Sequence, residues 1–314
     1  MCKTGRWISG RNGRNQREKC TNTEGFENAS LESIVIALRA VKLLTDGIER
    51  LLAVGWLLDR FRTTVNALTI LALSITMPGQ WTQNRVADHP VEVWNPGGEP
   101  VIAAILLHDL DGQVPLRSVI EEANFPVICP VAGRTWWLSI ESAGFAEGAL
   151  GWVRDQVVPW ASQQFQLQPP QFGLIGIGMG GHGALNLSYR HARKFPVVFA
   201  ISAAVDFHIY QPIEPVLSET FESVEAARQQ TATLHLHPLN WPLYQRIACD
   251  PADEYWFEGC ERLASKLSSS GIPFDGMFDH VSSDRATYDR GELRKALRDL
   301  PEKIREAGRQ LVVV

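Results

Sequence analysis

The chain reads as an α/β protein: a mostly parallel sheet with helices on both faces, carrying an N-terminal helical extension. Three observations predict this class. From residue 80 onward, short apolar runs alternate with longer amphipathic segments, the pattern of strands and covering helices. One run, Phe172–Ile177, passes straight into a glycine-rich turn and an Ala-Leu helix start, the profile of a strand, a sharp elbow and a helix. The 314 residues are 45% hydrophobic and 21% charged, enough apolar material for a sizeable core in a globular chain.

Composition shifts near residue 78. Residues 1–20 carry Lys3, Arg6, Arg11, Arg14, Arg17 and Lys19 against Glu18, a basic tail of disordered composition. Residues 31–62 place Leu31, Val35, Leu38, Ile48, Leu51 and Leu52 at near-helical spacing, which predicts an amphipathic helix. The apolar run Val65–Thr76 falls short of the roughly 18 to 20 residues of a membrane-crossing helix. It has the look of a signal-peptide core behind Arg60 and Arg62, yet no small-residue cleavage site follows. Met77 is the first methionine after Met1. Two readings of residues 1–76 therefore stand: a functional extension, or an overlong translation start ahead of a domain spanning 77–314.

Within that domain, residues 91–96 and 101–108 read as a pair of strands, followed by a strand at 125–130 and a helix over 148–165. Residues 172–177 and 195–202 read as buried parallel strands and 244–250 as a further strand. A helix over 258–269 and an amphipathic helix over 291–308 close the chain.

The elbow at 176–181 fits two frames. In Gly-x-Gly-x-x-Gly, met by Gly176, Gly178 and Gly181, bare backbone lets a dinucleotide pyrophosphate sit at a helix N-terminus. That frame needs an acid about twenty positions on, whereas the first one is Asp206, and at least three strands precede the turn. The dinucleotide reading is the remote alternative. In Gly-x-Ser-x-Gly, small residues flank a strained turn that pushes a serine hydroxyl into the open. Here the frame is Gly176-Ile177-Gly178-Met179-Gly180, with glycine at the serine position.

The sequences HDLDG (108–112), CPVAGRTWW (129–137), GIGMGGHGALNL (176–187) and ACDPADEYWFEG (248–259), followed by GIPF (271–274), resemble the esterase D or S-formylglutathione hydrolase type of α/β-hydrolase. The resemblance covers about residues 80–300. It implies hydrolysis of small carboxylic esters or thioesters by a serine, a histidine and an aspartate, with no metal and no cofactor. Carried over by position, Leu110 and Met179 supply the oxyanion-hole amides, Asp253 is the acid with Asp250 as runner-up, and the nucleophile position falls on Gly178. The histidine position falls near Asp284, inside Ser282-Ser283-Asp284-Arg285. His280 is the nearby imidazole and the candidate base. Asp109 stands where many members have glycine; pointed into the oxyanion site its carboxylate would oppose the negative charge of the transition state. Trp136 and Trp137 follow a strand end and are candidates for the acyl pocket.

Three functional readings follow: an esterase-type scaffold degenerate at Gly178, an active hydrolase of unusual mechanism working through His280 and Asp253, or a non-enzymatic module binding a small acyl compound or a protein. His235 and His237 share one face of an extended segment but lack an evident third metal ligand. His182, Ser188 and Ser202 are expected to be structural. Cys129, Cys249 and Cys260 are expected as inert core thiols, and the five cysteines show no C-x-x-C pair. The net charge of −5 argues against nucleic acid as a partner. A cytoplasmic protein is expected, exported or membrane-associated only if the apolar segment within 60–77 is a real signal or anchor.

Overall fold

In the computed structural model, the residues described are 35–42 and 79–312. The chain divides into two compact units, Met1–Ser74 and Ile75–Val314. In the first unit, residues 35–42 form a helix whose side chains are exposed throughout; the rest of the segment expected as an amphipathic helix, the basic tail and the apolar run lie outside the described residues. Among the described residues no helix is long and apolar enough to cross a membrane.

The second unit is built on one eight-stranded sheet: β1 (Gln80–Val86), β2 (His89–Asn95), β3 (Ala103–Leu107), β4 (Val127–Pro130), β5 (Phe172–Ile177), β6 (Val197–Ile201), β7 (Tyr244–Ala248) and β8 (Asp275–Met277). The spatial order is β1-β2-β4-β3-β5-β6-β7-β8. β2 runs antiparallel to both β1 and β4, and every pair from β4 to β8 is parallel. Parallel strands covered on both faces must be apolar at every position, and β3, β4, β5 and β6 are buried along their whole length.

The two-residue period of a strand deals these side chains to two separate cores. Ala103, Ile105, Leu107, Phe172, Leu174, Val198 and Ala200 enter one. Ala104, Leu106, Ile175, Ile177, Val197, Phe199 and Ile201 enter the other.

Of the helices, α1 (Arg117–Ile120) is short. α2 runs Gly148–Trp152, passes through a π-helical turn at Val153–Val157 and ends as Val158–Phe165. The proline at 159 has no N–H to give to the preceding turn. α3 (Met179–Arg190) leaves the elbow and packs on β5 and β6. Between β6 and β7 the chain makes an excursion holding α4 (Pro215–Thr220) and α5 (Val224–Arg228). α6 (Phe257–Ser269) covers the first core, and α7 (Arg285–Val312) lays Leu293, Leu297, Leu300 and Ile304 on the second. That 4-3-4 spacing is one helical face.

The strands and helices expected from residue 80 onward form, the last helix extended; the strands β1 and β8 and the short helices α1, α4 and α5 are additions. β1 is a polar edge strand and β8 has only three residues, so neither carries the apolar run that marks a strand. The last helix begins six residues before the expected 291, because Asp284 caps it: its Oδ1 accepts from the Thr287 amide at 2.8 Å and its Oδ2 from the Thr287 hydroxyl at 2.9 Å.

Candidate functional site

The elbow at the end of β5 is sharply bent. Gly178 has φ 55° and ψ −117°, a conformation that side-chain-bearing residues rarely adopt. It is pinned on both sides: its N–H donates to the Ile201 carbonyl at 2.9 Å, and its own carbonyl accepts from Gly181 at 3.0 Å and Ala204 at 2.9 Å. A Cβ on Gly180 would collide with the Leu107 and His108 carbonyls, so bare backbone is what allows α3 to begin this close to the end of β3. The dinucleotide frame loses its acid here, because Asp206 is engaged by Arg262 instead.

The loop after β3 is a tight turn closed by the Gly112 amide donating to the Asp109 carbonyl at 3.1 Å. Buried His108 fixes it. Its Nε2 accepts from the Ala132 amide at 3.0 Å, so Nδ1 carries the proton and donates to the Asp109 carbonyl at 2.7 Å. Burial lowers the His108 pKa, which keeps this ring neutral. The turn aims the Asp109 side chain inward. Its Oδ1 accepts the Met179 amide at 2.9 Å, and its Oδ2 accepts Arg285 Nη2 at 2.6 Å. A Cβ on Gly178 would overlap the same carboxylate. Asp109 thus fills the volume that a side chain at 178 would need and engages the Met179 amide. Leu110, half-buried, packs against the first core.

Asp253 is held by its Oδ1, which accepts the Tyr255 amide at 2.9 Å and the Trp256 amide at 3.0 Å. Its buried Oδ2 makes no hydrogen bond and faces Arg285 Nε at 3.6 Å. Asp250 instead joins two loops, accepting Ala252 N at 2.9 Å and Ser282 N at 2.8 Å. His280 is exposed, with its ring stacked 6.2 Å from that of Tyr288. The group that meets Asp253 is Arg285, not His280.

A third carboxylate completes the cluster. Asp289, one turn along α7, places Oδ2 at 3.4 Å from Arg285 Nε, and its Oδ1 accepts the Ser202 hydroxyl at 2.6 Å. Burial raises the Asp289 carboxyl to about 6, against the opposing pull of Arg285. Burial also works against the Arg285 charge, but Asp109, Asp289 and Asp253 outweigh it and its pKa is raised. Three carboxylates around one guanidinium form a charge-locked centre. Among the described residues, no hydroxyl stands at the elbow and no imidazole stands between the elbow and Asp253.

The pocket role expected of Trp136 and Trp137 does not fit their burial, 1% and 0% exposed. Trp136 donates its amide to Met179 Sδ at 3.0 Å, and Trp137 donates Nε1 to the His108 carbonyl at 3.0 Å, so both brace the loops around the elbow from inside. Ser188 donates to the Phe195 carbonyl at 2.7 Å, and His182 Nε2 accepts the Ala232 amide at 3.0 Å, with burial pushing the His182 pKa down to about 3. His237 Nδ1 accepts the Leu239 amide at 3.1 Å. Cys129, Cys249 and Cys260 are free thiols and buried.

Residues 126–281, from β4 through the elbow to the loop before α7, match the family described as "Putative esterase". The scaffold is that of an esterase-family α/β-hydrolase. No curated protein matches the sequence of this chain. Among solved structures, a ferulic acid esterase superposes with a TM-score of 0.60 at 14% identity, over 72% of this chain and 99% of the other. The substrate-bound fluorophosphonate-binding serine hydrolase F of Staphylococcus aureus gives the same 0.60, 14%, 72% and 99%. The S-formylglutathione hydrolase of Staphylococcus aureus gives 0.56 at 14% identity, over 72% and 98%. At that identity the likeness is one of fold.

Against this esterase scaffold, two features of the centre escape sequence reasoning. Arg285 and Asp289 lie at helical i, i+4 spacing on one face, and Ser202 lies at the end of β6. Arg285 directly follows the residue at the expected histidine position, so the signal was one place away.

Proposed function

We propose that this protein is a catalytically silent esterase-family scaffold in which the triad seat is filled by an internal ion cluster. In this reading Gly178 is the vacated nucleophile position, Met179 and Leu110 hold the former oxyanion-hole amides, Asp253 is the former acid, and Arg285 stands where the imidazole would be. The observation that carries it is Asp109, whose carboxylate takes up both the nucleophile's volume and the Met179 amide.

Chemistry supports silence rather than a substitute mechanism. Losing a triad nucleophile removes roughly a millionfold of rate, and the remaining roughly 10³ to 10⁴ over water comes from the oxyanion hole and binding. Here the oxyanion amide is also in use, and a carboxylate beside it repels developing negative charge. Arginine keeps its proton and cannot act as a general base. His280 would need to approach both Asp253 and Gly178, and it stacks on Tyr288 instead.

Turnover of p-nitrophenyl acetate and S-formylglutathione by the full chain, beside buffer and the triple variant Asp109→Gly/Gly178→Ser/Arg285→His, tests the proposal. Wild type at the buffer rate and a gain in the triple variant are expected. Wild-type turnover well above buffer would sink it.

A further inference from the structure

A second site lies at the opposite end of the sheet from the elbow, beneath the N-terminal ends of β5 and β6. Two neighbouring cavities open there, of about 350 and about 520 Å³. The smaller is lined by Arg190, His191, Arg193 and Lys194, and the larger by Arg154 and Lys194 together with Ser162, Gln163 and Gln168. Lys194 is shared. In a chain of net charge −5, this concentration of cations is a local inversion of sign.

The cations are poorly compensated. Arg190 ends α3 and meets only neutral acceptors: Nε donates to Asn186 Oδ1 at 2.6 Å, and Nη2 reaches Gln230 Oε1 at 3.3 Å and His235 Nε2. The side chains of Arg193 and Lys194 are exposed and form no hydrogen bond or ion pair among the described residues. Arg154 is the cation with ion-paired carboxylates, Asp155 and, at 4.0 Å, Glu147, and Asp155 acts at longer range on Lys194 and His191 without outweighing the cations' repulsion of His191. The groups therefore work against one another. Burial and then Arg154 lower the Arg190 pKa, and burial followed by Arg154, Lys194 and Arg190 lowers that of His191. A bound polyanion would relieve this repulsion.

We infer that the Arg190–Lys194 turn and the cavities on either side of Lys194 form a binding site for a small phosphorylated molecule. Its phosphoryl oxygens would meet Arg190, Arg193 and Lys194, because clustered guanidinium and ammonium groups suit a multiply charged oxyanion better than a lone carboxylate. The larger cavity falls within the roughly 300 to 1,000 Å³ of small-molecule sites. Its Ser162, Gln163 and Gln168 offer donors and acceptors to the rest of the ligand, beside Val158 and Phe195 for an apolar part. This site is independent of the elbow and of whether the scaffold hydrolyses esters.

The test is calorimetric titration of inorganic pyrophosphate into the full chain, at low and at physiological salt. Saturable one-site binding is expected, with Arg193→Gln and Lys194→Gln each weakening it roughly tenfold, the value of one charge-assisted hydrogen bond. Neither side chain holds a hydrogen-bonded or ion-paired partner, so both variants should melt close to wild type. Lys303→Gln, which removes the same charge from the Lys303–Glu306 pair on α7, should bind as wild type does. Absence of saturable binding overturns the inference. So does equal weakening in all three variants, which would show diffuse attraction to the whole surface.

Discussion

Asp109 and Gly178 share one volume: the carboxylate of the first occupies the place where a side chain on the second would begin. Gly178→Ser alone is therefore expected to leave esterase activity at the buffer rate and to destabilise the fold by about 1 to 3 kcal/mol through overpacking. Asp109→Gly in the same chain should recover most of that loss. Urea denaturation beside the p-nitrophenyl acetate assay measures both effects, and turnover by the single serine variant would show that Asp109 can swing away.

Arg285 faces three carboxylates. Removing one side of a buried pair costs roughly 3 to 5 kcal/mol, and a side chain one-third exposed should lose less, about 2 to 3 kcal/mol in Arg285→Met. The deficit should shrink in acid, where the Asp289 carboxyl takes up its proton. Denaturation at neutral and at acidic pH tests this, and a pH-independent deficit would mean that Arg285 contributes packing alone.

Asp289 predicts a pH dependence of definite sign. Its folded pKa, about 6, lies above the ordinary value of 3.8, so the folded state binds the proton more tightly than the unfolded chain does. The stability from this group is fully present below the unfolded value and is lost as pH rises through about 6. Asp289→Asn keeps an acceptor for the Ser202 hydroxyl and should gain on the order of 2 kcal/mol over wild type between pH 4 and pH 7. Parallel stability curves for the two proteins across that range would overturn the assignment.

Cys129, Cys249 and Cys260 are buried, and burial raises the pKa of Cys129 well above the ordinary thiol range. In a Cys2→Ser/Cys20→Ser background, Ellman's reagent should titrate no thiol in the native protein and three after denaturation. Rapid native labelling would show that the core opens locally.

The parts of this molecule legible from sequence are those fixed by local pattern. Phe172–Ile177 followed by glycines could hardly be other than a buried strand and an elbow, and β3 and β6 announce themselves as continuous apolar runs. β1 and β8 escaped because an edge strand need not be apolar and three residues show no period. At the site, what failed was direction. Whether Asp109 points in or out depends on a turn set by His108, Ala132 and Gly112, three residues distant from one another in chain or role. Arg285 was hidden by register: Asp284 became the helix cap, which turned its neighbour into the cleft. Trp136 and Trp137 sit at the expected strand end, but left-handed backbone, φ 55° and 47°, folds them under the loop.

The interlocking of Asp109, Gly178 and Arg285 also bears on the history open to such a chain. A serine placed at 178 meets a carboxylate, a glycine placed at 109 takes from Arg285 its hydrogen-bonded carboxylate and leaves it Asp253 and Asp289 alone, and an imidazole placed at 285 leaves Asp109 without its cation. Each exchange taken singly makes a worse protein than the one it starts from. The cluster therefore works as a ratchet: under the proposed reading, selection for stability alone holds these three residues together.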